Sequence, residues 1–135
     1  MTESIGEVLF VQVLMLLGHM VADYTLQGWL AQGKQKEWWE KNAPSQLYKN
    51  DYKCALLCHS FYWAAVTFLP MLLLGDGLEA AKGAYVWAVI ANTPLHYMVD
   101  NLKANRKWIS LWTDQSLHFL QIGVTLGLAA QIVGG

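Results

Sequence analysis

Three of the four histidines have an aspartate four residues away: His19 with Asp23, His96 with Asp100, and Asp114 with His118. Residues at i and i+4 share a face of a helix, so each pair offers an imidazole nitrogen and a carboxylate to one point. His59 is the fourth histidine and has no aspartate at that spacing. Imidazole and carboxylate together suit a divalent ion, with Zn, Mn, Fe and Ni all compatible, and the carboxylates offset the ion's charge in a low-dielectric setting. Four histidines and three aspartates suffice for one fully ligated ion with supporting partners, or for two ions sharing a carboxylate. Two other readings stand beside metal binding. Each pair could satisfy itself by hydrogen bonding and hold helices together, or the stripe could pass protons or ions.

Each pair extends along its helix face. Gln12, His19, Asp23 and Gln27 form one stripe; Asn92, His96, Asp100 and Lys103 a second; Asp114, His118, Gln121 and Thr125 a third. Gln27 and Gln115 suit places beside the ligands. Lys103 could be a salt-bridge partner, a snorkelling lysine, or a cation facing a phosphate together with Arg106.

The elements that must carry these residues follow from composition. At 135 residues the chain has room for one domain. It is 55% hydrophobic and only 14% charged, where a soluble domain has about 25% charged residues. The mean hydropathy of +0.26 is modest, but the charges are gathered into short stretches and leave long apolar runs between them. A bilayer core of roughly 30 Å needs about 20 such residues. Four stretches come close, at about 5–29, 54–74, 81–101 and 111–132, which predicts an all-α polytopic membrane protein, a four-transmembrane-helix bundle. A soluble bundle of very apolar helices is the alternative. The order His-x-x-x-Asp, His, His-x-x-x-Asp, His hints at two repeated helical hairpins related by an axis along the membrane normal.

The first loop, about 31–53, is polar, with Pro44 as a helix breaker and a short interfacial helix expected around Trp38 and Trp39. Gly75 and Gly77 flank Asp76 in a tight second turn, and the third loop is about 102–110. Eight of the nine basic residues, Lys34, Lys36, Lys41, Lys49, Lys53, Lys103, Arg106 and Lys107, fall in the first and third loops, leaving only Lys82 near the second. Cytoplasmic loops are enriched in Lys and Arg, so these two loops are predicted to be cytoplasmic and both termini to face outward. On alternating helices this puts all four histidines at a similar depth near the cytoplasmic face. Trp29, Trp38, Trp39, Trp108 and Trp112 flank the same side, as in an aromatic belt.

Other features narrow the field. The formal net charge of -1 gives no case for nucleic acid. Met1–Glu7 carries Glu3 and Glu7 without Lys or Arg, so the first apolar run is read as retained rather than as a cleaved signal. Cys54 and Cys58 match neither a zinc ribbon nor a disulfide framework and are expected as small buried packing residues. Gly123 and Gly127 permit helix association, so a homo-oligomer joins membrane lipids among the expected partners.

The strings GHMVADYTLQ at Gly18–Gln27, CHSFY around His59, HYMVDNLK at His96–Lys103 and DQSLHF at Asp114–Phe119 resemble the small membrane proteins of bacteria and tailed phages grouped as domain of unknown function 3307. The resemblance covers about residues 15–120. It implies a multi-pass protein of the bacterial inner membrane and marks His19, Asp23, Gln27, His59, His96, Asp100, Lys103, Asp114, Gln115 and His118 as family-type positions. The arrangement is also similar to that of membrane-bound metal-dependent hydrolases.

The resulting expectation is an integral membrane metal-binding protein in which His19, Asp23, His59, His96, Asp100, Asp114 and His118 hold one or two divalent ions. It would act as a hydrolase on a lipid or phosphate-bearing amphiphile at the cytoplasmic face, with Asp114 and Lys103 catalytic. An ion or proton transporter and a non-catalytic phage or bacterial accessory protein are the alternatives.

Overall fold

The computed structural model describes residues 5–75 and 77–134; Glu3 and Asp76, used above, lie outside the described residues. All regular structure among the described residues is helical. Helix α1 (Ile5–Met20) runs on through a wide π turn (Val21–Thr25), closed by the Leu26 N–H donating to the Val21 carbonyl at 2.9 Å. The first helical run therefore stops at Thr25, short of Trp29. Gly28, at φ 51°, reverses the chain into two short helices, α2 (Leu30–Gly33) and α3 (Lys36–Asn42). Helix α3 spans Trp38 and Trp39, where a short helix is expected. A 3-10 turn at Gln46–Tyr48 leads into α4 (Asp51–Phe68), which tightens into a further 3-10 stretch at Leu69–Leu73. Helices α5 (Leu78–Ala104) and α6 (Leu111–Gly134) complete the bundle.

Three segments, Ile5–Thr25, Gln46–Leu73 and Leu111–Val133, are long and apolar enough to cross a membrane. Helix α5 is long enough at 27 residues but is not among them. Its apolar run is diluted by Glu79, Lys82, Asn92, His96, Asp100 and Lys103.

Helix α1 packs on α4 and α6, and α5 packs on α4 and α6. Their apolar centre includes Val11, Met15, Phe68, Met71, Ala88, Ile122 and Leu126. Gly18 brings the backbones of α1 and α4 together: a Cβ there would stand 3.1 Å from the Val66 carbonyl oxygen and 3.2 Å from Thr67 Cα. The distribution of polarity is the reverse of a soluble protein's. Ile90 is 69% exposed and Leu120 63%, while all four histidines are fully buried.

Cys54 and Cys58 are exposed, not buried. They share the outward face of α4 with Leu57 and Phe61, an exposed apolar strip.

At one end of the bundle the first and third loops touch. Asn105 clamps them, its Oδ1 accepting from the Lys36 N–H at 2.7 Å and its Nδ2 donating to the Lys34 carbonyl at 3.1 Å. Lys107 adds an ion pair to Glu37 at 3.3 Å. Trp29 lies so closely over Gly33 that a Cβ at Gly33 would sit 2.7 Å from its ring, and Trp39 Nε1 donates to the Gly33 carbonyl at 2.7 Å. These contacts fix the backbone of Lys34.

Candidate metal centre

The seven histidines and aspartates of the sequence reading come together as one buried cluster at this end, but not as equals. Two groups place one ligand atom from each residue within reach of a common ion: Asp23, His59 and His96, and then His96, Asp100 and His118. In the first, Asp23 Oδ1 stands 3.4 Å from His59 Nε2 and 4.0 Å from His96 Nε2, and the two Nε2 atoms are 3.3 Å apart. In the second, Asp100 Oδ1 lies 3.6 Å from His96 Nε2 and 3.3 Å from His118 Nε2. His96 belongs to both.

His19 stands outside both groups. Trp63 Nε1–H donates to its Nδ1 at 2.8 Å, and an indole can only donate, so Nδ1 carries the lone pair. The proton is then on Nε2, which gives it to Gln115 Oε1 at 3.0 Å. Both ring nitrogens are engaged, so His19 supports the cluster instead of ligating within it. Asp114 is also one step out. Its Oδ2 accepts from Lys103 Nζ at 2.9 Å and from Gln115 Nε2 at 3.0 Å, and its Oδ1 lies 3.4 Å from His118 Nε2. Gln115 thus bridges His19 and Asp114. Gln27, beyond the π turn, returns its Nε2 to the Asp23 carbonyl and holds backbone rather than a ligand side chain.

Lys103 pairs with Asp114 and not with Asp100.

Sequence reasoning missed two members. Lys34, counted above as a loop cation, sends its Nζ to 2.7 Å from Asp100 Oδ2 and 3.2 Å from His59 Nε2. No local signal marks it, because only the folding of the first loop onto α5 brings it there. Trp63 holds His19 and stacks on His96, ring centroids 4.0 Å apart at 14°. It follows His59 by four residues, so the spacing that paired the other residues could have found it.

The donor set fits a divalent cation. Asp23 Oδ1 is buried without a hydrogen-bond partner, and a cation among it and the two nearby Nε2 atoms would satisfy all three at once. One feature departs from the usual pattern. In most metal sites the second ring nitrogen is held by a carboxylate or carbonyl, yet the Nδ1 atoms of His59, His96 and His118 have no hydrogen-bond partner. Stacking orients two of these rings instead, with His96 between Trp63 and His118, the latter at 4.3 Å and 29°.

Past the cluster the polar stripe closes on itself. Asn92 and Thr125 hydrogen-bond to each other, and Gln121 Nε2 donates to the Asn92 carbonyl at 3.2 Å. Beyond them the buried residues of α5 and α6 are apolar: Ala88, Ala84, Leu126 and Ala129.

Set against models of known families, curated proteins and solved structures, the chain matches none.

Proposed function

We propose that this protein is a four-span integral membrane hydrolase that uses one or two divalent ions, Zn, Mn, Fe or Ni, to cleave a phosphate-bearing amphiphile at the cytoplasmic face. The observation that carries the reading is the pair of ligand groups meeting at His96, at the end of the bundle where the two basic loops touch. Asp23, His59, His96, Asp100 and His118 would hold the ion, which supplies Lewis-acid activation of water and of a phosphoryl oxygen.

The chain's own residues have distinct tasks. Asp114 Oδ1 has no hydrogen-bond partner, so it is the carboxylate oxygen free to take a proton, while Lys103 and Gln115 fix its other oxygen. Lys103 is therefore a positioning residue here, not the phosphate clamp that its sequence position suggested. With neutral imidazoles, Asp23 and Asp100 against Lys34 leave a single excess negative charge. One divalent ion reverses that sign and makes an anionic ligand welcome.

Membrane insertion of α5 as the fourth span is supported by its outward face, where Val86, Trp87, Ile90, Leu95 and Met98 are exposed, and by the placement of its polar residues inside the bundle. The transporter alternative finds less support, because the polar stripe ends at Asn92 and Thr125.

Detergent-purified protein should contain about one or two equivalents of divalent metal by elemental analysis, and should release phosphate or an alcohol from at least one member of a panel of phospholipids and prenyl phosphates. His96→Ala should lose both metal and turnover. Full metal occupancy with no turnover on any substrate would favour the non-catalytic accessory role, and absence of metal would overturn the centre itself.

A further inference from the structure

Beside the cluster, on the other side of the Asn105 clamp, a polar cleft of about 410 Å³ opens between the first loop, the start of α4 and the end of α5. Lys36, Lys53 and Arg106 line it together with Tyr52, Tyr97 and Asn101. We infer that this cleft is a binding site for the phosphate of an anionic lipid head group. The inference rests on the membrane placement proposed above but not on catalysis.

The cleft's chemistry is one-sided. Among the described residues, Lys53 and Arg106 have no carboxylate partner. Lys53 lies over the Tyr52 ring at 5.8 Å and Arg106 over the Trp108 ring at 5.5 Å. Lys36 does have one, an exposed ion pair with Glu40 at 3.2 Å; water screens such a pair, and a phosphate in the cleft can compete for it. Asn101 uses its Oδ1 to accept from Asn105, so its Nδ2 remains the group able to donate. Three cations, an amide donor and two phenol hydroxyls converge, and no acidic side chain lines the space. A wall of cations and hydrogen-bond donors without a carboxylate matches a phosphate, which offers acceptors in several directions and takes charge-assisted hydrogen bonds.

Position selects the amphiphilic source over a free anion. Arg106, which lines the cleft, lies against the exposed Trp108 ring, one of the tryptophans expected in an interfacial belt. It also shares its backbone with the cluster. Asn101 and Tyr97 neighbour Asp100 and His96 in α5, and Lys36 is two residues from Lys34. A lipid held by its phosphate in the cleft would lie next to the candidate metal centre.

Binding is measured on the full chain in a neutral detergent with EDTA present, so that metal and turnover play no part. The probes are dihexanoyl phosphatidic acid, dihexanoylglycerol and glycerol 3-phosphate. Phosphatidic acid should bind and the other two at least about tenfold more weakly. Each basic residue near an anionic lipid contributes about fivefold, so Lys53→Gln with Arg106→Gln should weaken phosphatidic acid by at least about tenfold. Lys41→Gln with Lys49→Gln removes as much charge from outside the cleft and should weaken it by no more than about twofold. All four side chains are exposed, so both double variants should fold, which equal thermal unfolding checks. Equal weakening in the two double variants would reduce the site to diffuse charge and overturn it. Glycerol 3-phosphate binding as tightly as the lipid would overturn the lipid assignment, and dihexanoylglycerol doing so would overturn the role of phosphate.

Discussion

Replacing Lys34 by methionine keeps the apolar stem but strips the ammonium from Asp100 and His59, both of which it touches inside the cluster. Removing one partner of a buried pair leaves the other charge uncompensated, at a cost of about 3 kcal/mol. In chelator, Lys34→Met should therefore unfold at a clearly lower temperature than the parent protein. Added zinc should recover most of the difference, since a divalent ion would supply the missing positive charge at Asp100. A deficit that zinc leaves untouched would argue that Asp100 ligates nothing. The i, i+4 spacing made His96 with Asp100 legible because a helix face is a local property. Withdrawal of His19 from the ligand set was not legible, because it depends on an indole from α4 and an amide from α6 meeting its two nitrogens. Lys34 was unreadable for the same reason.

Between α1 and α4, a methyl group at Gly18 would press on α4 backbone that cannot swing aside as a side chain can. Gly18→Ala should cost roughly 1–3 kcal/mol, the usual range for overpacking. Because His19 follows directly, the variant should also weaken metal retention. Gly127 has nothing within 4 Å, so Gly127→Ala should change unfolding by less than about 0.5 kcal/mol if the chain is a monomer; a larger change would point to a partner helix there. The apolar runs gave helix positions closely, since long stretches free of charge have few other uses. They misjudged ends: α1 is closed early by its π turn, and α5 extends past both expected limits, from Leu78 to Ala104. Hydropathy averages the two faces of a helix, so α5, which carries the ligand shared by both groups and a full polar stripe of its own, is the element whose character it describes worst.

For the molecule as a whole, the basic loops set the expected orientation. In a cysteine-free background, Lys82→Cys should react with a membrane-impermeant maleimide on intact cells, and Lys49→Cys should react only after lysis. The opposite pattern would move the cluster and the basic cleft to the outer face. The inverted distribution of polarity, histidines within and leucines without, was foreshadowed by the segregation of charge, whereas the contact between the two basic loops needed coordinates. The first ligand group draws Asp23 and His59 from before the second turn and His96 from after it. During synthesis, the early hairpin must wait for α5 with a carboxylate, an imidazole and the Lys34 ammonium all short of their companions. In the proposed membrane placement its insertion would be only provisional until the late hairpin arrives to complete the cluster.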